Sequence, residues 1–166
     1  MKKSDKLPHK IIPLSHAKNV LPKLKEKKKV LVGGCFDIFH FGHLVFLEKA
    51  KELGEVLVII LESDSFISKF KHKIPVHSQF QRARILAAMN IVDLVILLPL
   101  LKSDEDYYEV IKMIRPNIIA ITKRDPLEKQ KKLQASALGA EVKIVTEHLK
   151  GFSSSLIYKY AAFLGD

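Results

Sequence analysis

The chain has one cysteine, no long apolar run and neither of the common glycine-rich nucleotide fingerprints. Each absence excludes something. A lone thiol, Cys35, cannot form an intrachain disulfide, and its isolation fits a reducing cytoplasm. The apolar run at 94–101 falls well short of the ~20 residues a membrane helix needs, and Pro99 interrupts it. The N-terminus is rich in lysine and has no apolar centre, so it does not read as a secretory signal. Neither G-x-G-x-x-G nor the Walker pattern G-x-x-x-x-G-K-S/T occurs. That argues against a dinucleotide oxidoreductase and against a P-loop phosphotransferase. No internal repeat is visible.

What is present describes one globular domain. The chain has 166 residues, of which 48% are hydrophobic and 28% charged, enough for a single real core. Its net charge of +10 is unevenly placed. Residues 1–29 hold ten lysines against Asp5 and Glu26, a net of +8, which leaves +2 for the rest. The basicity is therefore mostly terminal. Residues 1–11 read as a disordered, solubilising arm. No aromatic residue interleaves with these lysines, so base stacking on nucleic acid is not favoured there.

From residue 12 onward the pattern is that of a single domain opened by a helix. Ser15 is a candidate N-cap, and Ala17, Val20, Leu21 and Leu24 recur at helical spacing over 16–28, with Pro22 as an interruption. Apolar runs rich in β-branched residues follow at 30–32, 55–61, 94–98, 118–121 and 142–145. Helical patterns lie between them at 44–53, 78–90, 104–114 and 127–138, and a last one at 153–163. The stretch 62–77 reads as a mobile loop or short helix. Strict alternation of strand and helix predicts an α/β fold: a Rossmann-like open parallel sheet of about five strands with helices on both faces. Ligands in such sheets bind at the carboxyl ends of the strands, where the strand order reverses.

The first strand leads into Gly33-Gly34-Cys35-Phe36-Asp37-Ile38-Phe39-His40-Phe41-Gly42-His43. This is a glycine-bearing turn that opens a helix. A helix N-terminus offers unpaired N–H groups and partial positive charge, so it binds phosphate. His40 and His43 stand where they can donate to the same anion, and Gly42 between them permits close approach. The turn is therefore a candidate nucleoside triphosphate site. Cys35 reads as a packed residue rather than a nucleophile. His72 and His77 flank a lysine loop without enough further ligands for zinc.

The pattern G-x-C-F-D-x-x-H-x-G-H resembles the signature of the cytidylyltransferase-like nucleotidyltransferases, with their H-x-G-H motif. Further fragments fall in the family's order. Glu62-Ser63-Asp64 is similar to its S/T-D segment, Gln79-Phe80-Gln81-Arg82 to its helix start, Ile91-Val92-Asp93-Leu94-Val95 to its V-D-x-V, and Gly151-Phe152-Ser153-Ser154-Ser155 to its G-x-S-T/S-T/S. Lys71 sits where a phosphate-binding lysine is expected. One place departs: many members carry glycine-aspartate after the fourth strand, and here Thr122-Lys123-Arg124-Asp125 stands instead.

The resemblance implies a transfer in which a phosphorylated acceptor attacks the α-phosphorus of ATP or CTP and pyrophosphate leaves. It implies His40, His43, Lys71 and Arg82 as catalytic residues. It implies Gly34, Cys35, Phe36, Asp37, Gly42, Asp125, Ser153, Ser154 and Ser155 as nucleotide contacts. Mg²⁺ would arrive on the phosphates, since no carboxylate cage is visible, with Asp37 orienting the turn or helping to place the ion. A homodimer is implied, and neither nucleic acid nor a membrane span is favoured. The lead-in before the first strand is similar to that of heptose-phosphate adenylyltransferases, which favours ATP and a sugar or polyol phosphate. Glycerol 3-phosphate with CTP, and flavin mononucleotide with ATP as in archaeal-type FAD synthase, stay open. So does a non-catalytic nucleotide-binding regulator.

Overall fold

The computed structural model describes residues 9–147 and Ile157. Six parallel strands form one sheet in the order β1-β4-β3-β2-β5-β6. They are β1 (Ile11–Pro13), β2 (Lys29–Gly34), β3 (Val56–Leu61), β4 (Leu94–Leu97), β5 (Ile118–Thr122) and β6 (Glu141–Thr146). The helices are α1 (Ala17–Val20), α2 (Phe41–Lys51), α3 (Asp64–Lys71), α4 (Gln79–Ala87), α5 (Asp104–Ile114) and α6 (Glu128–Ala137). The chain steps from β2 outward through β3 to β4, then returns to β5 on the other side of β2. The reversal therefore lies between β2 and β5, at the turn singled out above.

Period-two alternation sorts the strands' side chains between two cores. Val30, Val32, Leu57, Ile59 and Leu61 pack with Phe46, Leu47 and Ala50 of α2 and with Ala83 and Leu86 of α4. Leu31, Val58, Ile60 and Ile96 face the other way, onto Val110, Ile111 and Ile114 of α5 and Ala135 of α6. β3 is buried along its whole length, which is why it reads as a continuous apolar run.

Three local readings change. The basic arm was drawn to residue 11, but Ile11 is buried and opens β1, pairing with Val95 at the sheet edge. A three-residue strand at an edge is below what alternation can reveal, so six strands stand where about five were expected. The helix expected at 16–28 is broken into a 3₁₀ turn, the short α1 and a second 3₁₀ turn containing Pro22, and Ser15 makes no cap bond. The stretch 62–77 contains a regular helix, α3, capped by Ser63.

Gly54 ends the α2 segment for a steric reason. A Cβ there would lie 2.7 Å from the Lys28 carbonyl oxygen and 2.8 Å from a Val30 methyl. Among the described glycines only Gly139 has a left-handed backbone. Gly54→Ala should lower stability by about 1–3 kcal/mol, because the backbone carbonyl cannot rotate aside. Urea unfolding of the variant checks this.

Candidate active site

The turn after β2 is held in a strained conformation by its neighbours. Phe36 is buried and has φ 48°, a left-handed backbone rarely adopted by a bulky residue. Its ring leaves no room for a side chain at Gly34, whose Cβ would come within 2.9 Å of it. Asp37 accepts hydrogen bonds from the backbone N–H groups of Val76 (3.0 Å) and His77 (3.1 Å). The aspartate thus ties the turn to the segment before α4, an orienting role.

His40 begins α2 with an extended backbone, and its carbonyl accepts from the amides of His43 (2.9 Å) and Leu44 (3.2 Å). Its side chain makes no cap bond. By contrast, serines cap α3, α4 and α5. The two imidazoles stack, with centroids 3.8 Å apart and planes 17° from parallel. Phe36 and Phe39 enclose the His43 ring at 5.0 and 5.5 Å. Burial in this wall pushes the His43 pKa down to about 4, helped by the charge of His40 and opposed by a hydrogen bond to the Ile38 carbonyl. Nδ1 of His43 is buried without a hydrogen-bond partner among the described residues. His43 is therefore neutral at pH 7, one N–H donor beside an uncapped helix start.

This has a consequence for stability. Between pH 6.5 and about 4 the unfolded chain binds a proton at His43 that the folded chain refuses, so stability falls as pH drops through that window. The loss by pH 4.5 should be about 2–3 kcal/mol. It should disappear in His43→Asn, as urea unfolding at pH 7 and 4.5 will show.

Arg82 was expected to meet phosphate, and its surroundings correct that expectation. It is fully buried. Its Nε donates to the His77 carbonyl (3.1 Å), Nη2 to the Glu62 carbonyl (2.9 Å) and to Asp64 Oδ1 (2.7 Å), and Nη1 to the Cys35 carbonyl. The guanidinium clamps three segments that converge on the site: the turn after β2, the exit of β3 and the entry of α4. Its fork is directed at backbone, which makes it a positioning residue. The Asp64–Arg82 pair also joins two of the fragments that carry the family resemblance.

Asp93 of the V-D-x-V segment has a structural task as well, accepting from the Leu57 amide (2.7 Å) and from Lys51 (2.6 Å).

Lys71 ends α3 as an exposed side chain, and its charge lowers the pKa of both Cys35 and Glu62. The Cys35 thiol is pushed up to about 11, first by burial and then by the charge of Glu62, which makes it a poor nucleophile. Asp125 accepts from the Leu127 amide (2.8 Å) and from Lys131 (2.7 Å), so its carboxylate opens α6 and holds a lysine. Arg124 before it has φ 64°, a conformation glycine adopts without strain. At the departure from the family pattern the left-handed backbone is thus occupied by an arginine. Gly42 lies in the first turn of α2, between the two histidines. Ser153, Ser154, Ser155 and the helix expected at 153–163 lie outside the described residues, as do residues 1–8.

Tyr107 and Lys131 were not singled out by sequence, and Glu62 was read only as part of the Glu62-Ser63-Asp64 fragment, without a role of its own. Glu62, just past β3, is buried, and Oε1 accepts from the Tyr107 hydroxyl at 2.9 Å. Burial raises its pKa, against the pull of Tyr107, Arg82, Lys71 and Lys131. Burial and the Glu62 charge raise that of Tyr107 in turn. The available signal was an acidic residue directly after an unbroken apolar strand. Nothing in the sequence marked Lys131. Among the described residues no group of three or more His, Cys, Asp or Glu is placed to hold a metal ion. Asp37 directs its carboxylate at the backbone amides of Val76 and His77.

A family model described as cytidylyltransferase-like matches residues 31–160. The bifunctional protein HldE of Campylobacter jejuni subsp. doylei is 41% identical over 139 residues, which cover 82% of this chain and 28% of that protein. The chain thus spans under a third of the length of that curated relative. The FAD synthase of Thermococcus sibiricus is 39% identical over 97 residues, 58% of this chain and 64% of that protein. Among solved structures, the lipopolysaccharide core biosynthesis protein from Thermoplasma volcanium GSS1 matches with a TM-score of 0.57 at 30% identity, over 76% of this chain and 99% of that one. Pantoate-beta-alanine ligase from Francisella tularensis, at TM-score 0.60 and 13% identity over 92% of this chain and 76% of that one, shares the fold alone. No described helix is long and apolar enough to cross a membrane. With its family model spanning most of the sequence and the H-x-G-H turn placed at the sheet's reversal point, the chain belongs to the cytidylyltransferase-like family of nucleotidyltransferases.

Proposed function

We propose that this chain transfers a nucleoside monophosphate from ATP or CTP to a small phosphorylated acceptor, a sugar or polyol phosphate being favoured. An oxygen of the acceptor phosphate attacks the α-phosphorus. The α–β phosphoanhydride bond breaks, and pyrophosphate leaves with the bond electrons. The nucleophile is already ionised at neutral pH, so no general base is required. The protein's work is alignment and electrostatic stabilisation.

The observation that carries this reading is the stacked, enclosed histidine pair at an uncapped helix start. His43, kept neutral, turns its single N–H from the Ile38 carbonyl to a phosphate oxygen, and the first-turn amides of α2 donate as well. His40 lies against it and meets the same phosphate group. Lys71 adds positive charge from the open side. Magnesium carried in on the triphosphate would supply charge neutralisation on the departing pyrophosphate. Asp37 and Arg82 hold the turn still. Asp125 serves the nucleotide through Lys131, which it orients. Ser153, Ser154 and Ser155 are proposed as contacts to the β- and γ-phosphates.

The HldE likeness supports ATP and a sugar phosphate. The FAD synthase likeness supports a second reading, flavin mononucleotide as acceptor. A largely apolar groove of about 660 Å³ at the carboxyl ends of β1 and β4, lined by Leu14, Leu97 and Met113 among others, has room for a ring system. Incubation with Mg²⁺, each nucleoside triphosphate and a panel of sugar phosphates, polyol phosphates and flavin mononucleotide decides between them by pyrophosphate release. Turnover with flavin alone would replace the first reading by the second. Tight triphosphate binding without turnover would favour a regulatory nucleotide binder.

A further inference from the structure

Oε2 of Glu62 is buried and has no hydrogen-bond partner among the described residues, although Oε1 is engaged by Tyr107. An unsatisfied carboxylate oxygen is costly in a native interior, so it points to a missing donor. Its position says what kind. The Glu62 amide donates to the Gly34 carbonyl (3.1 Å), which sets the residue at the carboxyl end of β3, next to the phosphate-binding turn. β3 lies on the far side of β2 from β5, away from the crevice that takes the nucleotide. Lys71, exposed at the end of α3, acts on the carboxylate and is the cation a second phosphate would meet. A negative group beside it repels phosphate, so it is of use only for a neutral donor on the same ligand.

We propose that Glu62 Oε2 accepts a hydrogen bond from a hydroxyl of the acceptor, close to its phosphate. This makes the cleft selective for hydroxylated phosphates. Tyr107 fixes the carboxylate by its hydroxyl, while Lys71 attracts the phosphate. The inference rests on the nucleotidyl-transfer reading for the identity of the ligand as acceptor. A nucleoside ribose carries hydroxyls too, so the test separates the two sources.

Dissociation constants are measured by calorimetry on the full chain, with α,β-methylene-ATP present. The probes are glycerol 3-phosphate against 3-hydroxypropyl phosphate, and hexose 1-phosphates against their 2-deoxy forms. The wild type should bind the hydroxylated member of at least one pair roughly tenfold more tightly. Glu62→Ala, and the isosteric Glu62→Gln, should abolish that preference. Affinity for α,β-methylene-ATP and the circular dichroism spectrum should stay unchanged. A preference retained in both variants overturns the inference, as does absence of any preference in the wild type. So does a Glu62-dependent loss that follows 2′- or 3′-deoxy-ATP instead. Pyrophosphate is followed in parallel. Its absence with every pair, beside a Glu62-dependent hydroxyl preference, defeats the transfer reading and leaves the hydroxyl contact standing.

Discussion

Arg82→Ala should lower the unfolding free energy by ~3–5 kcal/mol, the range for removing one member of a buried, hydrogen-bonded charge network. The midpoint of thermal unfolding should fall by roughly 10 °C for a domain of this size. The guanidinium donates to the carbonyls of Cys35, Glu62 and His77 and to Asp64, and its loss takes that donor from the three carbonyls, while Asp64 is exposed enough to turn to water. Arg82→Lys should recover little, because one ammonium cannot reach acceptors arranged around a planar fork. A phosphate-binding arginine would behave otherwise: its loss would raise the triphosphate KM and leave stability near wild type. Calorimetric unfolding, set beside triphosphate affinity, separates the two roles.

His43→Ala should reduce kcat/KM by roughly 10²–10³, the usual cost of removing one donor to charge that develops in the transition state. The fold should survive, since the main core, Val30, Val32, Leu47 and Leu57 among others, does not depend on the His43 ring. His43→Asn keeps an N–H donor on a shorter arm and should recover part of the rate. Nδ1 is buried without a hydrogen-bond partner among the described residues, and the pKa near 4 follows first from enclosure by Phe36 and Phe39 and then from the charge of His40. A variant with unchanged pyrophosphate release would remove His43 from the mechanism.

Much of this was legible in the residues. Parallel strands covered on both faces are apolar runs, so β2 to β5 and the sheet class could be read directly, β6 showed only through its β-branched residues, and the H-x-G-H turn lies at the reversal point. Residues whose task depends on contacts distant in sequence were not legible. Arg82 beside a helix start looks the same whether it faces phosphate or three backbone carbonyls. Tyr107 and Glu62 meet across 45 positions, and Asp125 pairs with Lys131 beside a left-handed Arg124 that no sequence pattern announces. The strand at Ile11 was hidden by its length and by the lysines before it.

The central claim is that the bond broken lies between the α- and β-phosphorus atoms. The direct measurement supplies triphosphate labelled at either the α- or the γ-phosphorus, with Mg²⁺ and the acceptor that gives turnover. The account predicts that α-label moves to the acceptor and γ-label leaves in pyrophosphate, with both transfers lost in His43→Ala. Appearance of γ-label on the acceptor would contradict it.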